Sequence, residues 1–289
     1  MIKIIIYGAR ESGQKLLYEY TSPPLNKIYE VLCFADSNPA LWDTEIPGKK
    51  IINPNDINNH CFDKIIIGSY SSHKEIFYFL KDNLGISENL IDNSDIIFFD
   101  KARQLFLSYQ AKILKELGYN ENSGCVAEVG VFRGDFAKYI NACFPKNKLY
   151  LFDTFTGHDK RDLSFEKSRN FNYNFSPERY AQTSVELVKN NLPYPENAIF
   201  RTGYFPDTTK DIEENFIFVS IDVNLYSPTF SALEYFYPRM LYGGVILCHD
   251  YFSWEVEPGA HIAIDEFCNK NNIPFIAIGD RISIAIIRT

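Results

Sequence analysis

Eight short apolar runs, each stopped by glycine or aspartate, constrain this chain more than any other feature. They are IKIIIYG, YEVLCFAD, DKIIIG, CVAEVG, KLYLFD, AIFRTG, FIFVSID and GGVILCHD. A strand covered on both faces has no reason to alternate polar and apolar residues, so it reads as one apolar stretch. Amphipathic stretches separate the runs, and strands alternating with helices predict parallel sheets clothed by helices. The expected fold class is α/β.

The runs fall into two groups. IKIIIYGARESGQKLLYEY reads as a strand, a glycine-bounded turn and a helix from about Ser12. The next strand ends in Asp36 and is stopped by Pro39; FDKIIIGSYSSHKEIFYFLKDNLG repeats strand, turn and helix, with Gly85 as C-cap. NLIDNSDIIFF closes this half near residue 99. From Asp100 to Gly118, Ala102, Leu105, Tyr109, Ile113 and Leu117 recur at helical spacing, predicting a connecting helix packed on the second half by that face. The expected domains are residues 1–99, a connecting helix in 100–123, and 124–289. The tail PFIAIGDRISIAIIR reads as two strands joined at Gly279–Asp280, an antiparallel pair at the end of the second sheet. Both domains are thus Rossmann-like, the second ending in an antiparallel hairpin.

In an open parallel sheet, ligands bind beyond the carboxyl ends of the strands, where the strand order switches. The second half presents Glu128 and Gly130, Asp153, Gly203, Asp222, then His249 and Asp250 at those ends. EVGVFRGD places Gly130 at a tight strand-to-helix turn, and Asp153 ends the next strand, where a carboxylate can bind ribose hydroxyls or cap a helix. Taken in that order, the pair favours a nucleoside cofactor, with RTGYFPDT supplying a glycine turn and an aromatic wall. Asp222, His249 and Asp250 follow neighbouring strands and form a candidate cation site. His249 is alternatively a base or an orienting group. The long polar and aromatic stretch between KLYLFD and AIFRTG reads as a substrate lid over residues 157–195, with Arg161, Arg169 or Arg179 to meet phosphate.

EVGVFRGD, LFDTFTG, GYFPDT, SIDVNLYSPTFSALEYFYPRMLYGGVILCHDY and PGAHIAIDEF together resemble the macrocin O-methyltransferase family, S-adenosylmethionine-dependent enzymes that methylate sugar hydroxyls with a divalent metal. The resemblance implies a class I methyltransferase sheet with a terminal antiparallel hairpin. It implies cofactor contacts at Glu128, Gly130, Arg133, Gly134, Asp153, Thr154, Gly203, Tyr204 and Asp222. It further implies Asp222, His249 and Asp250 as catalytic residues and as ligands of magnesium or manganese, with Asp222 as general base. The family usually carries two aspartates where this chain has His249–Asp250, and a histidine also suits manganese, iron or zinc. Val223, Asn224 and Leu225 follow Asp222, so the lysine base of catechol-type enzymes is missing there.

YGARESGQKL, FADSNP, PGKKIINPNDI and DKIIIGSY resemble the nucleotide-binding N-terminal domains of bacterial glycan-modifying enzymes. That resemblance implies nucleotide-sugar docking, or a packing and dimerisation role that keeps only the fold. The implied acceptor is a sugar or nucleotide-linked sugar used in surface polysaccharide.

Composition sets the class limits. With 29 Lys and Arg against 37 Asp and Glu the net charge is -8, which argues against nucleic acid or an anionic membrane as partner. No apolar run reaches spanning length, the N-terminus has no secretory signal pattern, and six cysteines without CxxC spacing read as reduced thiols. A cytoplasmic enzyme, in one or more copies, is expected. The other readings are an NAD-dependent nucleotide-sugar oxidoreductase or epimerase, and a non-catalytic nucleotide-sensing scaffold.

Overall fold

The computed structural model describes residues 1–69, 72–171, 176–253 and 258–289, apart from the side chains of residues 11 and 95–100. Tyr70 of the GSY segment and residues 172–175 of the long excursion lie outside the described residues. The chain divides into two compact units, Met1–Asp100 and Lys101–Thr289.

The first unit holds strands β1 (Ile2–Tyr7), β2 (Tyr29–Ala35), β3 (Glu45–Ile46), β4 (Lys49–Ile52), β5 (Lys64–Ile67) and β6 (Ile91–Asp92), with helices α1 (Glu11–Thr21) and α2 (His73–Tyr78). The sheet order is β3-β4-β2-β1-β5-β6, and every pair is parallel except the β3–β4 hairpin. Apolar side chains pack on both faces, Ile5 and Ile65 on one and Ile4, Ile6 and Ile66 on the other. The strand order switches between β1 and β5. There Gly8 has φ 111°, and a side chain at Gly13 would overlap the Gly8 carbonyl. Asp36 is buried and accepts hydrogen bonds from the Ala9 and Asn38 amides, both at 2.8 Å. Its carboxylate thus ties the β1 turn to the β2 turn.

Helix α3 runs from Ser94 to Glu116, so DIIFF is helical and the helix begins six residues before the expected Asp100. Its buried positions also differ from expectation. Leu105, Tyr109, Ile113 and Leu117 are the exposed stripe, while Arg103, Leu107 and Leu114 are buried. A charged residue takes an inward position because its charge is matched there, as the site below shows.

The second unit holds β7 (Cys125–Val129), β8 (Leu149–Asp153), β9 (Ala198–Thr202), β10 (Phe216–Ile221), β11 (Met240–Cys248), β12 (Phe275–Ala277) and β13 (Ile284–Ile287). Its helices are α4 (Ala137–Cys143), α5 (Lys160–Ser168), α6 (Val185–Asn191), α7 (Tyr226–Phe236) and α8 (Pro258–Asn271). The order is β12-β13-β11-β10-β7-β8-β9. The strands from β11 to β9 are parallel, and β13 runs antiparallel to both β11 and β12, giving the expected terminal pair. Consecutive residues face opposite ways and both faces are covered. Ala127, Val129 and Val219 join one core with α7 and α8, while Val126, Phe218 and Leu247 join the other with α3 and α6. The order switches between β7 and β10, which sets Gly130 beside Asp222. The excursion between β8 and β9 carries α5 and α6.

Candidate active site

The site begins with strand register. Ile221 of β10 pairs with Cys248 of β11, so Asp222 and His249 are the next residues on parallel neighbours. The His249 amide donates to the Ile221 carbonyl at 2.9 Å, and the Asp222 amide donates to the Val129 carbonyl at 2.8 Å. Asp250 then turns through a left-handed backbone, φ 62°. The outcome is convergence: one ligand atom each from Asp222, His249 and Asp250 lie within 4.8 Å of one another. His249 Nδ1 is 3.3 Å from Asp222 Oδ1 and 3.0 Å from Asp250 Oδ1.

Residues that the sequence did not reveal hold the two carboxylates in place. Arg103 of α3 donates from Nη1 to Asp222 Oδ2 at 3.0 Å and from Nη2 to Ser220 Oγ at 3.1 Å. Asn224, itself left-handed at φ 59°, donates from Nδ2 to Asp250 Oδ2 at 2.8 Å. The Ser253 hydroxyl lies 3.3 Å from Asp250 Oδ1. Non-glycine residues with positive φ follow four of the strands, at Phe132, Phe155, Asn224 and Asp250. Such backbone costs of order 1–3 kcal/mol per residue and gathers at functional sites. A tolerance for the left-handed region is the one signal by which Asn224 could have been found in the sequence.

The electrostatics follow from burial and charge. Burial works against the His249 imidazolium, but Asp222 and Asp250 outweigh it and raise its pKa to about 10, so a cation bound there would have to displace the Nδ1 proton. Burial likewise opposes the Asp222 carboxylate, yet His249 and Arg103 hold its pKa well below the usual carboxylate range. Glu128, at the end of β7, is 1% exposed, and burial pushes its pKa well up against the pull of Arg103.

The donor set fits a divalent cation. His249 Nδ1 is buried between carboxylate oxygens of Asp222 and Asp250 without ideal hydrogen-bond geometry to either. Neighbouring ligands around a six-coordinate cation with bonds of ~2.1 Å sit about 3.0 Å apart, close to the two separations seen.

The remaining expected residues line the same edge of the sheet. Asp153 Oδ2 accepts from the Val131 and Phe132 amides, both at 2.8 Å, and Oδ1 accepts from the Phe155 amide at 2.7 Å. Its oxygens therefore organise the turn after β7, and Oδ1 keeps a lone-pair direction for another donor. The space that a side chain at Gly130 would take is filled by the Asp222 carbonyl, and Val188 stands 2.9 Å from the equivalent point at Gly134. Both glycines serve the approach of the protein to itself. Arg133 Nε donates to the Gln182 carbonyl at 3.1 Å, and the Thr154 hydroxyl donates to the Gly157 carbonyl at 2.5 Å. Gly203, φ 130°, turns the chain into Tyr204, whose hydroxyl donates to Asp162 at 3.0 Å beneath the Arg161 guanidinium.

Two arginines expected to meet phosphate are committed elsewhere. Arg161 pairs with Asp159 and Asp207, at 2.9 and 3.3 Å, and Arg169 pairs with Glu266 at 3.0 Å.

A family model described as macrocin-O-methyltransferase (TylF) matches residues 107–281, more than half of the chain. The chain belongs to the macrocin-O-methyltransferase family. It is accordingly an S-adenosylmethionine-dependent O-methyltransferase, and residues 107–281 hold the ends of β7, β8, β9, β10 and β11. A second model, described as C2185-like, N-terminal, matches residues 1–91. Among solved structures, the O-methyltransferase NovP is similar at 21% identity and TM-score 0.51, covering 65% of this chain and 80% of its own. The calicheamicin methyltransferase CalS11 is similar at 16% identity and TM-score 0.51, covering 75% and 91%. At these identities the likeness is one of fold. No curated protein matches the chain.

Proposed function

We propose that this methyltransferase transfers the methyl group to a sugar hydroxyl, with a divalent cation held by Asp222, His249 and Asp250. The observation that carries the reading is the part-buried meeting of these three groups at the sheet's switch point, with their ligand atoms within 4.8 Å of one another.

Methyl transfer from a sulfonium is an in-line displacement in which the donor is already activated. The difficulty is the acceptor. Asp222 is kept ionised by His249 and Arg103, so it stands ready to take a proton, but it is a weak base. Between a free hydroxyl near 15.7 and an ordinary aspartate near 3.9 the gap is roughly 12 pKa units, or ~16 kcal/mol. A bound divalent cation would supply the missing acidity, since it can bring coordinated water down to about 7 and so shrink the gap to ~4 kcal/mol. Asp222 then accepts the proton, while Asn224 and Ser253 keep Asp250 oriented. Holding oxygen and methyl carbon in line supplies the remainder.

S-adenosylmethionine would lie along the edge formed by Glu128, Gly130, Arg133 and Gly134, Asp153 and Thr154, and Gly203 and Tyr204. Asp153 faces the ribose in this reading and the Tyr204 turn borders the adenine. CalS11, which shares the fold, is a TDP-rhamnose 3′-O-methyltransferase, and this supports a nucleotide-linked sugar as acceptor. Residues 1–99 are then a nucleotide-sugar docking domain and 100–123 the connection to the catalytic domain, in an enzyme of surface polysaccharide assembly. The switch in strand order between β1 and β5 is where a nucleotide would dock in the first unit.

Asp222→Asn and Asp250→Asn test the mechanism. Both should bind S-adenosylhomocysteine within a few-fold of wild type by calorimetry and lose at least about 10³-fold in turnover, the scale of a lost base together with lost metal activation. Near-normal turnover in both would remove the cation mechanism and leave the family assignment intact.

A further inference from the structure

The guanidinium of Arg103 reaches the strand ends from α3, 119 residues before Asp222 in the sequence. Arg103 is 9% exposed and lies 3.8 Å from the centroid of the Phe136 ring. That ring and the Ser220 hydroxyl give its plane two supports besides the carboxylate. The guanidinium is therefore a fixed charge, and what it fixes in turn is Asp222.

The contact divides the Asp222 carboxylate. Oδ2 belongs to Arg103, and Oδ1 is the oxygen 3.3 Å from His249 Nδ1. A carboxylate free at both oxygens can chelate a cation with two bonds, as flexible oxygen sites often do. Doing so would commit to the cation the lone pairs needed for the acceptor's proton. Arginine stays charged at every working pH, so its repulsion of a nearby cation is permanent.

We propose that Arg103 is a positioning residue that restricts Asp222 to one oxygen facing the cation and keeps the site's affinity for that cation low. The inference rests on the cation reading above. A site built only for tight binding would have no use for a buried positive charge on one of its ligands. A site that must leave a cation's charge available to a substrate hydroxyl, with a base beside it, does.

The test compares manganese binding, read from the electron paramagnetic resonance signal of free Mn²⁺, in wild type and in Arg103→Gln, Arg103→Lys and Ser220→Ala. Arg103→Gln should bind Mn²⁺ more tightly, on the order of tenfold, because a unit charge near the ligand has been removed. Its kcat should nevertheless fall by at least tenfold, with S-adenosylhomocysteine affinity within threefold of wild type. Arg103→Lys, which keeps the charge and loses the two-pronged hold, should keep near wild-type Mn²⁺ affinity with a reduced kcat. A merely structural arginine would weaken metal binding and activity together. Equal or weaker Mn²⁺ binding in an Arg103→Gln protein that still binds S-adenosylhomocysteine overturns the proposal and spares the cation reading. Absence of Mn²⁺ binding to wild type removes both. Should Arg103→Gln fail to fold, Ser220→Ala decides: a loosened guanidinium lowers kcat without weakening Mn²⁺ binding, and an unchanged kcat overturns the proposal.

Discussion

At the scale of single residues, His249 distinguishes this chain from a site with aspartates at both positions. Magnesium favours oxygen ligands in a near-ideal octahedron, whereas manganese and zinc accept imidazole readily. His249→Asp should therefore raise activity with Mg²⁺ relative to Mn²⁺ several-fold, measured by S-adenosylhomocysteine release after chelation and metal titration. An unchanged ratio would mean that the imidazole does not touch the cation. Asp222, His249 and Asp250 were legible in the sequence because a parallel sheet sends its strand ends to one edge, and period-two geometry fixes which residue comes next. Arg103 was not legible. Its partner Asp222 lies on another element, and a lone arginine in a helix reads as a solvated residue until the burial of its neighbours is known. Asp153 shows the same limit from the other side: the sequence located it, and only the structure assigned its oxygens to three backbone amides.

At the scale of elements, the long excursion is anchored at its base and along α5. Its base is pinched where the His158 amide donates to the Pro177 carbonyl at 3.0 Å, and a side chain at Gly157 would overlap that carbonyl. Helix α5 is anchored by two buried carboxylates one turn apart. Glu166 accepts from the Tyr226 amide at the start of α7 at 2.7 Å, where a helix dipole favours negative charge. Asp162 accepts from the Tyr204 hydroxyl, and burial raises its pKa to about 6. A carboxyl whose pKa is higher folded than unfolded stabilises the native state at low pH, and that contribution is lost as pH rises from about 4 to 6. At pH 7.5 the buried charge costs ~3 kcal/mol at most. Asp162→Asn removes the charge and can still accept from Tyr204. Its stability relative to wild type, from urea unfolding, should thus be more favourable at pH 7.5 than at pH 4 by up to about 3 kcal/mol. A pH-independent difference would show that Asp162 ionises normally. The β7–β10 junction gives a second element-level prediction. Gly130 and Gly279 have nearly equal φ, 85° and 84°, but only at Gly130 does an added Cβ meet protein atoms. Gly279→Ala should cost about 1 kcal/mol of backbone strain, and Gly130→Ala at least ~3 kcal/mol because strand ends must move apart. Similar losses would mean that the junction gives way easily. Sequence periodicity identified α3 as a helix and misassigned its buried face. Leu105, Tyr109, Ile113 and Leu117 form the more apolar stripe, yet the inward face is the one whose single charge has carboxylate partners.

For the whole molecule, the division at Asp100 predicts where ligands act. Something that binds the native state alone stabilises it by about 2.7 kcal/mol at a hundred times its dissociation constant, and only the unit that contains the site gains this. S-adenosylhomocysteine with Mn²⁺ should therefore raise the melting of residues 101–289 by roughly 5–10 °C, and a chelator should reverse part of the gain. The chain carries its own reporter for the other unit. Its two tryptophans are Trp42 and Trp254, so Trp254→Phe leaves one fluorophore, in the first unit, donating from Nε1 to the Asp36 carbonyl at 2.7 Å. Fluorescence of that variant should follow residues 1–100 and stay within a degree or two when S-adenosylhomocysteine and Mn²⁺ are added, while calorimetry on the same sample records the transition of residues 101–289 moving. Nucleotide-sugar should have the reverse preference if docking occurs through the first unit: the Trp42 transition rises, and it does so without the methyl donor product. If Trp42 reports the S-adenosylhomocysteine shift in full, the units unfold as one and the separate docking domain loses its basis. If nucleotide-sugar moves only the second transition, the acceptor binds at the catalytic edge alone and the first unit has some other task.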